Sequence, residues 1–154
     1  MSVTETEKDT LYMREAIAEA MAAADAGEVP VGAVIVCGGN VIARGRNTRE
    51  GEGIATGHAE IMAIEAACRV MGGWRLCDCT LYVTLEPCPM CAGAIINARL
   101  ARVVYGAKDP RAGAFGSVLN MRSYPLESKP EIVNGILADE CATLLSRFFK
   151  KKRK

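Results

Sequence analysis

The chain has 154 residues and a mass of 16.4 kDa, with half the residues apolar and 24% charged, which predicts one folded domain over 1–154 and excludes a disordered chain. Its most apolar runs, Val29–Cys37 and Leu81–Leu85, fall far short of the ~18 residues of a membrane helix, and Met1–Thr10 is too acidic and polar for a secretory signal, so no membrane partner and a cytoplasmic address are expected. The net charge of +1 hides an asymmetry: six of the 19 basic residues crowd into a C-terminal tail, 147–154, and leave the rest of the chain acidic, about −5.

Leu11, Met13, Ala16, Ile17, Ala20, Met21 and Ala24 recur at helical spacing, so a helix is predicted over 8–26, stopped at Gly27. Pro30 breaks that pattern. Val31–Val36 then reads as a strand, Gly38-Gly39-Asn40 as a turn, and Val41–Arg44 as the returning arm of a hairpin. The polar, glycine-dotted stretch 45–57 reads as a loop. From His58 the helical period returns through Ile61, Met62, Ile64 and Cys68, predicting a mostly buried helix that ends at Gly72-Gly73.

Thr80–Leu85 has the composition of a strand, and Pro87 suits the first turn of a helix running through 88–98. Ala101–Tyr105 is a further strand. Residues 106–130 are loop-rich, with a short helical turn at Ser117–Met121, before a short strand at Glu131–Val133 and an amphipathic helix at Ile136–Phe149. Strands alternating with helices in the middle of the chain predict a mixed, partly parallel sheet with helices on its faces, an α/β sandwich.

Seven cysteines, an odd number without a secretory signal, argue against a disulfide scaffold and for metal binding, catalysis or core packing. Cys88 and Cys91 stand at i and i+3, on one face of a helix whose start favours a thiolate. With His58, the only histidine, they make one nitrogen and two sulfur ligands, a zinc-type set. Three ligands leave a coordination position for water, as catalytic zinc sites do. For Glu60 to serve the same site, His58 must sit at the start of its helix with Glu60 in the first turn; Glu60 would then shuttle protons without ligating the metal.

Blander readings stand beside this one. A histidine before a helix is commonly a cap, and C-x-x-C alone also occurs in redox motifs and structural zinc sites. A closed four-cysteine site from Cys77, Cys79, Cys88 and Cys91 is the competing metal reading, although C-x-C chelates less well than C-x-x-C. Cys37, Cys68 and Cys141 read as small core hydrophobes.

H-x-E followed by P-C-x-x-C is a known signature of zinc nucleobase deaminases. With it, the segments Glu28–Val34, Thr80–Ala94 (TLYVTLEPCPMCAGA), Gly106–Ser117 (GAKDPRAGAFGS) and Gly135–Cys141 (GILADEC) resemble, in the same order, the cytidine-deaminase-like superfamily and within it the bacterial tRNA-specific adenosine deaminases. The resemblance spans roughly residues 8–150. It implies a three-layer α/β/α sandwich around a five-stranded mixed sheet, a homodimer, and one Zn2+ per subunit on His58, Cys88 and Cys91, with Glu60 as the catalytic proton carrier. It further implies that Asn47 holds the base, that Val29, Leu85 and Pro87 wall the ring, and that Asp109 lies along the substrate strand. Phe148, Phe149 and the basic tail, with Lys151 and Arg153, would approach a tRNA anticodon stem-loop.

The reaction implied is hydrolytic deamination of adenosine to inosine at the wobble position, on a base taken out of its stack. A free-base or nucleoside deaminase of the guanine-deaminase kind shares the zinc motifs, and a zinc-stapled RNA-binding module without turnover is the reading from another class. The chain departs from the family at Ile54-Ala55-Thr56-Gly57, where Asp-Pro-Thr-Ala is usual, which implies a looser approach to His58. The basic tail has a plain alternative too, a solvated helix end suited to the helix dipole.

Overall fold

Thr4 accepts a hydrogen bond from the Glu7 amide at 3.1 Å and caps the first helix, α1 (Glu5–Asp25), whose start is further favoured by Glu5 and Glu7. The cap explains why the helix begins three residues ahead of the predicted start at residue 8. The structure, a computed structural model, describes residues 2–152. After α1 come β1 (Gly32–Cys37), β2 (Asn40–Arg46), α2 (Arg49–Glu52), α3 (Ala59–Met71), β3 (Cys79–Leu85), α4 (Pro89–Asn97), β4 (Arg102–Ala107), β5 (Glu131–Asn134) and α5 (Ala138–Lys152).

The five strands form one sheet in the order β2-β1-β3-β4-β5. β1 runs antiparallel to β2 and β3, while β3, β4 and β5 are parallel. Period-two alternation divides the core. Ile35, Leu81, Val83 and Val103 pack with Ala63 and Ala67 of α3 and Ile95 of α4. Val34, Val36, Tyr82 and Val104 face the other way, to Met13 and Ile17 of α1 and Cys141 of α5. The result is the expected three-layer α/β/α sandwich.

Two glycines let helices lie directly on strand backbone. A Cβ at Gly32 would overlap the Ala16 carbonyl of α1, and one at Gly45 would overlap the Ala59 carbonyl at the start of α3. At the far end of the sheet the buried Asp9 of α1 takes a two-pronged pair from Arg102 of β4, both hydrogen bonds at 2.7 Å, and a hydrogen bond from the Tyr82 hydroxyl at 2.8 Å.

Three local expectations are corrected. The proline in the first turn of α4 is Pro89; Pro87 precedes the N-cap, Cys88. The stretch 45–57 contains the short helix α2, because the Glu28 carboxylate accepts the Glu50 and Gly51 amides at 3.0 and 2.6 Å. The helical turn expected at Ser117–Met121 is instead a bridge between Phe115 and Asn120 followed by a 3-10 turn, Met121–Ser123, which Asn120 caps.

Candidate metal and active site

The carboxyl ends of the parallel strands are where open α/β sheets bind ligands, and the starts of α3 and α4 meet there. Cys88 is extended (φ −75°, ψ 173°) at the N-cap of α4, and Cys91 is buried in the following turn. His58 holds the same N-cap position on α3 (φ −92°, ψ 149°) and makes no capping hydrogen bond with its side chain. Because His58 is still extended, it and Glu60, the second helical residue, both line the same pocket.

His58 Nδ1 lies 3.6 Å from Cys88 Sγ and 3.5 Å from Cys91 Sγ. A tetrahedral zinc ion, ~2.3 Å from sulfur and ~2.0 Å from nitrogen, spaces such atoms about 3.5 Å apart. The donor atoms of all three residues lie within 4.8 Å of one another, so the set fits zinc in both spacing and ligand softness. Among the described residues no other group of His, Cys, Asp and Glu gathers in this way. The four-cysteine alternative fails on topology: Cys79 begins β3 and Cys88 follows its other end, about 20 Å away along a seven-residue strand.

The donors influence one another's acidity. Hydrogen bonding to Cys91, and then to His58, pulls the Cys88 thiol down to about 4 against the effect of burial. The same hydrogen bond with Cys88, reinforced by burial, pushes Cys91 up. His58 is made more basic by its hydrogen bond to Cys88, partly offset by burial. Burial pushes Glu60 up to about 7, with its own backbone amide pulling the other way and the charge of Cys88 adding to the rise. A carboxyl group at that value both accepts and gives up a proton near neutrality.

Beside these groups is a cavity of about 180 Å³. Val29, Val31 and Leu85 are its apolar wall; Asn47, Arg49 and Asp109 supply polar groups. Asn47 is buried, and its Oδ1 accepts the Arg49 amide at 3.1 Å. Pro87 does not line the cavity; its carbonyl accepts the Ala114 amide at 2.8 Å. Phe149 and Lys151 do not line it either, both being exposed near the end of α5, where Phe149 meets the half-buried Phe148 edge to face at 5.5 Å. Arg153 lies outside the described residues.

The approach to His58 is tied rather than loose. Thr48 N donates to Gly57 O at 2.9 Å, Gly57 N to Ile54 O at 3.0 Å and His58 N to Thr56 O at 2.7 Å. Gly57 serves by its size, since a Cβ there would stand 2.9 Å from the Arg49 nitrogen.

Sequence reasoning passes over Arg49, Glu28 and Glu86. The two glutamates are buried and each takes backbone amides of a loop at the pocket, Glu28 from α2 and Glu86 from the loop after β4. Their only signal is an acidic residue beside apolar segments, in Glu28-Val29-Pro30 and Leu85-Glu86-Pro87.

A mixed sheet between two helix layers, with this donor set at its strand ends, defines a deaminase of the cytidine-deaminase-like class, and the MafB19-like deaminase family matches residues 7–153. The chain is 49% identical over 148 residues to a tRNA-specific adenosine deaminase of Bacillus subtilis (strain 168), an alignment covering 96% of this chain and 92% of that protein. A solved structure from a study of A-to-I editing by tRNA:A34 deaminases at the wobble position superposes with a TM-score of 0.86 at 44% identity, covering 88% of this chain and 99% of that one. A guanine deaminase from Bacillus subtilis gives a TM-score of 0.61 at 34% identity, over 76% of this chain and 85% of that one. The chain belongs to the family of tRNA-specific adenosine deaminases.

Proposed function

We propose that this chain, as a single zinc-dependent domain over 1–154, deaminates adenosine to inosine at the wobble position of a tRNA anticodon. The observation that carries the reading is the meeting of the His58, Cys88 and Cys91 donors with the buried Glu60 at one cavity beside Asn47. The identity to tRNA-specific adenosine deaminases over nearly the full chain supports the substrate class.

His58, Cys88 and Cys91 would hold one zinc ion per subunit, which when bound would supply a water acidic enough to ionise near neutrality. Glu60 takes a proton from the attacking water as its oxygen bonds to C6 of the adenine ring, and delivers it to N1. It then moves the remaining proton of that oxygen to the 6-amino nitrogen, and the C6–N6 bond breaks to release ammonia. Adenosine and water thus become inosine and ammonia. Asn47 has its Oδ1 held by the Arg49 amide, so its Nδ2 hydrogens are left to donate to a ring nitrogen of the flipped base. Val29 and Leu85 exclude water from the ring faces, while Pro87 ties the loop after β4 through its carbonyl to the Ala114 amide.

Asp109 lies along the RNA strand at the cavity mouth, and Phe149 and Lys151 of α5, together with Arg153, meet the anticodon arm. The chain acts as a homodimer. An apolar hollow between α3 and α4, bordered by the exposed Trp74 with Ile64, Cys68, Ala94 and Ala98, supports pairing on that face. No helix among the described residues is long and apolar enough to cross a membrane, and a tRNA substrate suits a cytoplasmic enzyme.

The test is deamination by zinc-loaded protein of an anticodon stem-loop with adenosine at the wobble position, with free guanine, adenosine and cytidine run in parallel and products measured by mass. Inosine in the stem-loop alone is expected. Turnover only of free guanine would replace this reading with a guanine deaminase.

A further inference from the structure

We propose that Glu86 is a positioning residue: its buried carboxylate clamps the loop 109–117 onto the turn carrying Cys88 and so sets Asp109 and Ala112 in register with the metal donors. The proposal rests on the deaminase reading above for its kinetic consequence, and on the geometry alone for the clamp. Glu86 is 1% exposed, and among the described residues no basic side chain pairs with it. A carboxylate is costly to bury unless its oxygens are satisfied. All the donors that satisfy this one come from one loop.

Oε1 accepts the Asp109 amide at 3.0 Å and the Ser117 hydroxyl; Oε2 accepts the Phe115 and Ser117 amides at 3.0 and 3.1 Å. Two backbone hydrogen bonds flank the carboxylate, Glu86 N to Ala107 O at 2.9 Å and Ala114 N to Pro87 O at 2.8 Å. The loop closes over it so tightly that a Cβ at Gly113 would overlap the carboxylate. An apolar side chain would fill this space at less desolvation cost. What it lacks is the ability to fix four donors of an irregular segment that pairs with no strand of the sheet.

The loop contributes Asp109 and Ala112 to the cavity. Asp109 is itself fixed by its own loop, its Oδ1 accepting the Arg111 and Ala112 amides at 2.9 and 3.2 Å. A continuous path runs from Cys88 through Pro87 and Glu86 to the Asp109 amide. Moving the carboxylate would therefore move the Asp109–Ala112 side of the cavity while leaving the His58, Cys88 and Cys91 donors in place.

Glu86→Gln keeps the shape but turns an NH2 group toward N–H donors. The expected result is a full zinc complement, a KM for the stem-loop raised about tenfold, as for the removal of one charge-assisted hydrogen bond, and a kcat within about threefold of the unsubstituted enzyme. Amide exchange at Asp109, Phe115 and Ser117 should quicken by about tenfold or more. Gly113→Ala, which presses on the same carboxylate from the loop side, should raise KM likewise, and Ser117→Ala by less; these two carry the test if Glu86→Gln does not fold. Unchanged KM in the folded variants, or a loss confined to melting temperature, would overturn the proposal. If the unsubstituted enzyme fails to deaminate the stem-loop, the functional reading falls; unquickened exchange at the three amides overturns the clamp by itself.

Discussion

Glu60 and His58 stand two residues apart, a spacing that puts side chains on nearly opposite sides of a regular helix. They share a pocket because His58 is still extended at the N-cap while Glu60 is already helical. Their chemistry separates in the same way: His58 belongs to the donor cluster, and Glu60 lies beside it, buried and shifted to about 7. Glu60→Gln is therefore expected to keep zinc and stem-loop binding while deamination falls by about 10²–10⁴-fold, the usual contribution of a positioned acid–base group. Elemental analysis and single-turnover inosine formation check the two halves. His58→Ala or Cys88→Ser should give the opposite pattern, losing metal first, because two donors cannot hold zinc as three do. Turnover retained without Glu60, or full zinc without His58, would reverse these assignments.

At the level of elements, the packing of helices on strands decides where those side chains stand. Gly45 lets the start of α3 lie on β2, and a Cβ there would push at the Ala59 carbonyl, beside both His58 and Glu60. Gly45→Ala is expected to cost about 1–3 kcal/mol, or about 2–4 °C of Tm per kcal/mol, and to lower kcat as α3 shifts. Gly32→Ala presses α1 off β1 in the same manner, but α1 contributes nothing to the cavity, so stability should fall with kcat kept. Calorimetry and turnover on the same pair of variants separate the two effects. The elements themselves were legible in sequence wherever a period recurs: α1, β1, β3, α3 and α5 follow from apolar spacing, and the donor cluster follows from His58-Ala59-Glu60 and Cys88–Cys91. The role of Glu86 was not legible, because its partners lie 23 to 31 residues away and are mostly backbone amides, which any side chain can carry. α2 was hidden for the same reason, its first amides being held by Glu28, more than 20 residues earlier. The misplaced helical proline shows a further limit: Pro87 and Pro89 both suit a helix start, and only the extended backbone of Cys88 decides between them.

Across the whole molecule, charge is distributed as the proposed substrate requires. The body of the chain is acidic and would repel RNA, while the exposed Arg147, Lys150, Lys151 and Lys152 gather at one end of α5. These residues also suit the helix itself, since Asp139 and Glu140 open α5 and the lysines close it in favour of its dipole. A favourable dipole is thus common to both accounts of the tail, and helix stability cannot separate them. Salt dependence can. Each phosphate neutralised by the tail releases counterions and adds about 0.7 to the slope of log affinity against log salt for a single strand, or about 0.9 for a duplex. Among the described residues, none that lines the cavity or holds the donors lies in Lys150–Lys152, so zinc content should be unchanged on deleting Lys150–Lys154. Stem-loop affinity should fall, and the slope should flatten by about 0.7–0.9 for every phosphate no longer neutralised, measured by anisotropy across a salt series. An unchanged slope would mean that the lysines serve only the end of α5, and that the RNA is held by the cavity and its two clamped loops.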